Sequence, residues 1–457
     1  MAQAFFGGVH PHDMKAATNE KAIEQLAPPA VVVIPMSMHF GAPCTPLVKA
    51  GDHVKVGQKI GEFSGLGAPI HASVSGTVKA VEPRPYSMGG NIMSVVIEND
   101  MQDELSEEVK APADPNALSV EEMVEIVKNA GIVGMGGATF PTHVKITSGI
   151  GKVSTVIING AECEPYITGD HRTMLERPEE IIGGAKFLAK MFGVDKVVIG
   201  VEDNKQNGID AMNKVIAEQK APVVVEPLRC RYPQGGEKQL CQAITGRQVP
   251  PGGLPADIGC AVFNINTTCA IYRALTTGMP VVRKIVTVSG SGVVEPKNLE
   301  CPIGTPVTNL LDACGGLKDG TFKLIAGGPM MGMAQYTADI SVAKGTGAIL
   351  AFCENEEKTV ENPQCIRCGK CVSVCPMHLE PLFMYQYASK GMVEELNAAH
   401  IMDCMECGAC SYICPARMHL THMFKTGKQL VKDKAAADRA AAEAKKKAAE
   451  EKEAAAK

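Results

Sequence analysis

The stretches 365-CIRCGKCVSVCP-376 and 404-CMECGACSYICP-415 are two copies of one cysteine pattern near the end of the chain. In each copy, three cysteines spaced two residues apart are followed by a fourth cysteine and a proline. Three thiolates can then face one concavity, while the fourth is turned away and ligates the other cluster in two-cluster ferredoxins. The pattern therefore predicts two 4Fe-4S clusters. The first is held by Cys365, Cys368, Cys371 and Cys414, and the second by Cys404, Cys407, Cys410 and Cys375.

A pair of zinc sites is the alternative for these motifs, because Cys-x-x-Cys pairs also bind zinc. Two complete copies that end in Cys-Pro favour 4Fe-4S clusters over zinc sites. The residues between the motifs look helical, which predicts an α-helical ferredoxin domain over residues 355–430. The Ala/Lys-rich tail at 431–457 has no apolar face to bury, so it is expected to be a solvated helix or a disordered extension.

Composition limits the class of protein. A chain of 457 residues with 45% hydrophobic and 21% charged residues is typical of a soluble protein of two to four domains. The net charge of −5 gives no basic field for nucleic acid. No apolar run approaches the ~20 residues of a membrane-spanning helix, and the N-terminus lacks the features of a secretory signal. These observations indicate a cytoplasmic protein.

Residues 30–100 read as short strands separated by glycine-containing turns, after an irregular N-terminal segment at 1–29. The phrases 51-GDHVKVGQKIG-61 and 75-SGTV-78 resemble the lipoyl and biotinyl barrel-sandwich family. Carrier members of that family need a modifiable lysine, but the intervening stretch 61-GEFSGLGAPIHA-72 contains none. We therefore expect a barrel-sandwich hybrid domain with a structural or docking role.

Strands and helices alternate from residue 118 to residue 282, after a linker at 100–118. Ser119, followed by two glutamates, predicts the N-cap of a helix that runs to Lys128. The alternation predicts an α/β domain with a largely parallel sheet. The following strand, helix and strand at 283–335 resemble the β-grasp module known as a soluble-ligand-binding domain.

A glycine-rich loop, 131-GIVGMGGATFPTHVK-145, is the second informative stretch. Closely spaced glycines let backbone N–H groups approach a phosphate, and Lys145 can add positive charge. The loop departs from the Rossmann pattern because a helix precedes it. Together with 159-NGAECEP-165, 231-RYPQGGE-237 and 263-FNINTT-268, it resembles the flavin- and NADH-binding subunit of respiratory complex I.

This resemblance implies roles for individual residues. The FMN phosphate would be cradled by Gly134, Gly136, Gly137 and Lys145. The flavin would be lined by Asn159, Glu162, Tyr232, Gly235 and Asn264. The NAD(H) site would involve Phe140, where the nucleotide stacks, Glu164, where it hydrogen-bonds, and Glu237. Met135 and Gly236 replace an arginine and an acid of the family pattern, which weakens the NADH assignment more than the FMN assignment.

The order of modules, with the phrases 5-FFGGVHP-11 and 33-VIPMSMHFGAP-43, resembles the RnfC family, the C subunits of the ion-translocating ferredoxin:NAD⁺ oxidoreductases known as Rnf complexes. The resemblance implies a peripheral subunit on the cytoplasmic face of the membrane, without a transmembrane helix. Its partners would be the integral membrane subunits and the ferredoxin-like iron–sulfur B subunit, with ferredoxin reached indirectly. It would pass electrons between two 4Fe-4S clusters, FMN and NAD(H), coupled to Na⁺ or H⁺ translocation.

Two alternatives compete with this interpretation. A soluble cobalamin reductase combines a similar flavin domain with two clusters, but it lacks the barrel-sandwich module. A non-catalytic electron relay would keep the fold and the clusters while its flavin site no longer binds flavin.

Overall fold

The computed structural model describes residues 5–354 and 360–455, with side chains described up to residue 446. The described chain divides into two compact units. The first comprises residues 10–354, and the second comprises residues 5–9 together with 360–455. Within these described ranges, no helix combines the length and apolar character needed to span a membrane.

A barrel-sandwich module opens the first unit. Two small antiparallel sheets build it, one with strand order β2-β8-β7-β4 and one with order β3-β5-β6. Alternate residues of β2, Val32 and Ile34, are fully buried in the core, as the alternating pattern predicted. The strand β1 (Ile23–Gln25) precedes this module, whose own strands are β2 (Val31–Pro35), β3 (Thr45–Pro46), β4 (His53–Val54), β5 (Lys59–Glu62), β6 (Ile70–His71), β7 (Gly76–Pro85) and β8 (Asn91–Asn99).

An α/β module follows, with a parallel sheet of order β11-β10-β9-β12. Its strands are β9 (Thr155–Gly160), β10 (Val197–Glu202), β11 (Val223–Leu228) and β12 (Cys260–Asn264). Its helices are α1 (Val120–Asn129), α2 (Thr142–Gly149), α3 (Gly169–Glu176), α4 (Pro178–Phe192), α5 (Gln206–Gln219), α6 (Glu237–Thr245) and α7 (Ile265–Thr277). The parallel sheet predicted from strand–helix alternation is confirmed.

The predicted helix start at Ser119 is also confirmed, and the reason is local. The Ser119 hydroxyl accepts the N–H of Glu122 at 3.2 Å, while the Glu122 carboxylate accepts the N–H of Ser119 at 2.7 Å. This reciprocal capping box satisfies two amides at the start of α1 and stabilises the helix by about 1 kcal/mol. The glycine-rich loop follows α1 directly.

The third module of this unit is a six-stranded mixed sheet of order β1-β14-β13-β17-β15-β16. Its remaining elements are β13 (Arg283–Ser289), β14 (Lys297–Pro302), α8 (Val307–Ala313), β15 (Thr321–Ala326), β16 (Met333–Gln335) and β17 (Ala348–Cys353). The irregular structure predicted for the whole N-terminal segment is wrong at β1, which pairs in parallel with β14. Three residues carry little local signal, and their partner strand lies far along the chain.

The second unit is helical, as predicted for the residues between the cysteine motifs. Its helices are α9 (Lys370–Ser373), α10 (Pro381–Ser389), α11 (Val393–Ala398), α12 (Ala409–Ile413) and α13 (Leu420–Ala455). Buried Met384, Leu396 and Phe424 pack with cysteines of both motifs in one core. The N-terminal residues 5–9 belong to this unit, where the N–H of Gly8 donates to the carbonyl of Val374 at 2.8 Å. The tail continues α13, so the helical alternative is confirmed for 432–455.

Candidate functional site

The eight motif cysteines line two separate cavities in the second unit. Cys365, Cys368, Cys371 and Cys414 line one of them. Cys404, Cys407, Cys410 and Cys375 line the other. Each cavity therefore receives three thiols from one motif and the fourth from the other, which is the exchange that the sequence pattern predicted. Among the described residues, no three His, Cys, Asp or Glu side chains converge tightly enough for a single metal ion.

The two cavities differ in exposure. Cys365 and Cys368 are exposed, whereas Cys375, Cys407 and Cys410 are buried. Burial raises the pKa of the Cys404 thiol to about 11, so the charge of bound iron must favour the thiolate form. Backbone N–H groups donate hydrogen bonds to two of the sulfurs. The N–H of Leu379 donates to Cys375 at 3.4 Å, and the N–H of Glu406 donates to Cys404 at 3.4 Å. Four thiols around one cavity, with amides directed at sulfur, fit a 4Fe-4S cluster.

In the first unit, two asparagines mark the carboxyl ends of neighbouring parallel strands. Asn159 in β9 lies opposite Asn264 in β12. Asn159 donates through Nδ2 to the carbonyl of Gly235 at 2.8 Å, which fastens the 231–236 loop to the sheet. Asn264 caps α7 by accepting the N–H of Asn266 at 2.9 Å. Ligands of open α/β sheets bind at this edge.

The glycine-rich loop runs over the same edge. Gly134 closes its base by donating to the carbonyl of Phe140 at 2.9 Å, and a Cβ on Gly136 would lie 3.3 Å from the Asn264 side chain. Gly137 has a φ of +144°, which favours glycine. The N–H groups of Gly136, Gly137 and Ala138 donate to no acceptor within the described residues. They lie in an exposed turn, where a ligand can reach them. Three consecutive free amides fit a phosphate group.

Lys145 lies on α2 behind this loop. Its Nζ is 2.8 Å from Oε1 of Glu237 and donates to the carbonyl of Val262 at 2.9 Å. The structure thus brings together two predicted residues from separate motifs, one assigned to the FMN phosphate and the other to NAD(H). Both side chains are about one-third exposed, at 30% and 41% respectively, so an anionic ligand can reach Lys145 and replace Glu237 as its partner.

Glu162 is buried and turned toward the protein. Its carboxylate accepts the N–H of Asp170 at 2.7 Å and of His171 at 3.3 Å, at the start of α3. The Lys15 ammonium lies 3.9 Å from it and donates to the carbonyls of Glu162, at 2.8 Å, and Glu164, at 3.0 Å. Burial raises the pKa of Glu162 to about 7. The residue therefore organises the 159–167 loop, with Lys15 as its cation.

Glu164 is held by a loop of the β-grasp module. Its Oε2 accepts the N–H of Met330 at 3.1 Å, and the buried Tyr232 hydroxyl donates to its Oε1 at 3.5 Å. A Cβ on Gly328 would lie only 2.2 Å from Oε2, so a larger residue there would displace the Glu164 carboxylate from this position. Gly235 packs the neighbouring loop equally closely, because its Cβ would lie 2.4 Å from the carbonyl of Ala161. The predicted flavin-lining loops and the β-grasp loop therefore meet at Glu164.

Replacing Glu164 with glutamine should reduce the pH dependence of folding stability. Burial raises the pKa of Glu164 from 4.5 to about 7, so its stabilising contribution is full below pH 4.5 and is lost as the pH rises through about 7. A neutral amide has no such loss. We expect the Tm of Glu164→Gln, relative to wild type, to rise by about 2 °C between about pH 5 and about pH 8 in calorimetry. The exposed Glu218→Gln should show no such rise, and an identical profile for both variants would contradict the prediction.

Sequence reasoning missed several residues that build this site. Asp170 accepts from Nδ2 of Asn264 at 2.7 Å and from Nδ2 of Asn266 at 2.5 Å, which joins the start of α3 to the start of α7. The buried Lys284 of β13 donates to the carbonyl of Met135 in the glycine-rich loop at 3.3 Å. Burial lowers its pKa to about 8. No local signal separates Lys284 from its neighbour Arg283 at the start of the strand Arg283–Ser289, so only the fold identifies it.

Comparisons with known proteins agree with this arrangement module by module. Four family profiles match: the "RnfC Barrel sandwich hybrid domain" at residues 3–102, the "Nuo51 FMN-binding domain" at 127–273, the "SLBB domain" at 285–334 and the "4Fe-4S dicluster domain" at 357–415. A solved NAD⁺-reducing NiFe-hydrogenase chain shares the fold, with a TM-score of 0.50 and 17% identity over 64% of this chain and 60% of that one.

Two curated relatives cover most of the chain. The C subunit of the Na⁺-translocating ferredoxin:NAD⁺ oxidoreductase complex of Acetobacterium woodii is 45% identical over 87% of this chain and 90% of its own length. The C subunit of the proton-translocating complex of Clostridium ljungdahlii is 44% identical over 86% of each chain.

The fold and the two sites define a flavin- and iron–sulfur-binding electron-transfer protein, with an FMN-binding domain and a 4Fe-4S dicluster domain. More particularly, the chain belongs to the RnfC family, the C subunits of the ion-translocating ferredoxin:NAD⁺ oxidoreductase complexes. The predicted multidomain fold and its barrel-sandwich hybrid, α/β, β-grasp and helical ferredoxin modules are confirmed.

Proposed function

We propose that this chain is the NAD-linked subunit through which an Rnf complex exchanges electrons between NAD(H) and its membrane partners. One observation carries the proposal: a single chain combines a loop of free amides at a parallel-sheet edge with eight thiols around two cavities. The named activities of the two relatives support it, one with Na⁺ and the other with protons. The ion that this chain's complex translocates is accordingly Na⁺ or H⁺.

Residues of the α/β module would bind and orient FMN and NAD(H). When bound, FMN supplies hydride exchange with nicotinamide and single-electron exchange with the clusters. Gly134, Gly136 and Gly137 present the backbone to its phosphate, and Lys145 adds positive charge beside them. Asn159, Tyr232, Gly235 and Asn264 would line the flavin, while Glu162, whose carboxylate faces the start of α3, would hold the 159–167 loop in place. Phe140, Glu164 and Glu237 would bind NAD(H).

The clusters serve as the route between this site and the partner subunits. We assign the first cluster to Cys365, Cys368, Cys371 and Cys414, and the second to Cys404, Cys407, Cys410 and Cys375. The partners are the integral membrane subunits and the ferredoxin-like B subunit, through which ferredoxin is reached. The chain would lie on the cytoplasmic face as a peripheral subunit, with domains at 30–100, 118–282, 283–335 and 355–430.

An anaerobic titration tests this function. Protein reconstituted with iron, sulfide and FMN should hold about eight iron atoms and one flavin, and NADH should bleach the flavin absorption. NADPH serves as the matched control nucleotide. If both clusters form and FMN does not bind, hydride transfer by this chain is disproved and only an electron relay remains.

A further inference from the structure

Phe40 is an exposed aromatic residue of the barrel-sandwich module that lies against the glycine-rich loop of the α/β module. Its side chain is 59% exposed. Its N–H donates to the carbonyl of Thr139 at 3.0 Å, and its ring centroid lies 6.0 Å from that of Phe140, with 33° between the ring planes. Two phenylalanine rings from different modules thus form one partly exposed aromatic surface.

The backbone around Phe40 is fixed, so its exposure does not result from a loose loop. The neighbouring His39 is buried, with Nε2 3.3 Å from the sulfur of Cys44. The next residue, Gly41, has a φ of +126°, and a Cβ there would lie 2.0 Å from the carbonyl oxygen of Leu66. Only glycine permits this close turn.

A buried lysine fixes the two modules to each other at the same place. Lys344 is 1% exposed, and its Nζ donates to the carbonyl of Pro69 at 2.8 Å and to that of Gly131 at 2.7 Å. Pro69 belongs to the barrel-sandwich module, while Gly131 begins the glycine-rich loop. The position of Phe40 beside the free amides of that loop is therefore built into the fold.

The chemistry of the surface favours a planar aromatic ring. Aromatic faces stack on heterocyclic bases, and Phe40 keeps more than half of its surface exposed beside the ring of Phe140. Hydride transfer requires the nicotinamide ring to face the flavin. The other ring of the dinucleotide, adenine, has no flavin partner and needs a stacking surface elsewhere.

We propose that Phe40 forms, with Phe140, the surface on which the adenine ring of NAD(H) stacks. This inference rests on the proposed function, since it assigns a substrate group to the same site. It also gives the barrel-sandwich module a role: one wall of the nucleotide site comes from a module that carries no cofactor of its own. Phe40 acts in binding and takes no part in the chemical step.

The decisive variant is Phe40→Ala, which keeps the backbone N–H that bonds to Thr139. ADP-ribose, which carries adenine without nicotinamide, should bind the FMN-loaded variant about 5- to 30-fold more weakly in calorimetry, with FMN affinity unchanged. The KM for NADH should rise by a similar factor, with kcat within about twofold, using an artificial one-electron acceptor. The KM for reduced nicotinamide mononucleotide, which lacks adenine, should stay at the wild-type value.

Two further variants complete the test. Phe40→Trp should restore ADP-ribose binding, and Phe322→Ala, which removes a phenylalanine that is 49% exposed on β15, should leave it unchanged. Unchanged ADP-ribose binding in Phe40→Ala would overturn the inference while leaving the proposed function intact. Equal losses for NADH and the mononucleotide, or lost FMN binding, would also overturn it. Failure of the wild type to oxidise NADH would instead defeat the proposed function.

Discussion

Replacement of Cys375 by alanine should remove the cluster of the second cysteine motif and leave that of the first. Cys375 lies in the first motif of the sequence, yet it lines the cavity of Cys404, Cys407 and Cys410. A cubane that loses one of four thiolate ligands is expected to be lost or degraded. The iron content of anaerobically reconstituted protein should therefore fall from about eight to about four atoms, and the spectrum of the reduced protein should keep only the first cluster.

Cys371→Ala is the matched variant, because Cys371 belongs to the same motif but lines the other cavity. It should remove the complementary signal, so that the two residual spectra sum to that of the wild type. Cys353→Ser, outside both cavities, should retain about eight iron atoms. Loss of the same cluster in Cys371→Ala and Cys375→Ala would show that each motif ligates its own cluster.

Replacement of Lys15 by methionine should weaken FMN binding at least tenfold and destabilise the first unit. The ammonium of Lys15 donates to the carbonyls of Glu162, Glu164 and Ile167, and it is the cation beside the buried Glu162 carboxylate. Both side chains are nearly inaccessible, at 7% and 6% exposure. Removal of Lys15 leaves three carbonyls without their donor and a buried carboxyl without its ion-pair partner, which together cost about 3 kcal/mol.

FMN titration followed by flavin fluorescence should show at least a tenfold weaker Kd for Lys15→Met, and calorimetry should show a lower Tm. The control is Lys21→Met, in the same N-terminal segment. Lys21 is exposed and donates to the carbonyl of Pro296 at 2.9 Å, away from the 159–167 loop. Wild-type FMN affinity in Lys15→Met would refute the role of Lys15 in organising that loop.

Much of the architecture is predictable because the relevant signals are local. Each cysteine motif occupies twelve consecutive residues, and both motifs together predict the cavity to which each thiol belongs. The capping box at Ser119 and the glycine-rich loop after α1 are likewise set by nearby residues. Helices and strands of the α/β module follow from periodicity within single segments.

The remaining features depend on contacts between distant segments. Lys15 has no local pattern, and its importance comes from carbonyls about 150 residues away. The same applies to Phe40, which reads as an ordinary turn residue until the fold places it beside Phe140. Glu162 illustrates a further difficulty: a motif can identify a residue, but only tertiary structure shows that its carboxylate faces α3.

The pairing of β1 with β14 has a consequence for synthesis on the ribosome. Gln25 and Glu300 are bonded neighbours in the finished sheet although they are 275 residues apart. At translation rates of about 5–20 residues per second, the first strand waits roughly 15–60 s before its partner exists. The edge of the mixed sheet that β1 forms is therefore completed late, and the newly made N-terminal segment is a natural client for chaperones during that interval.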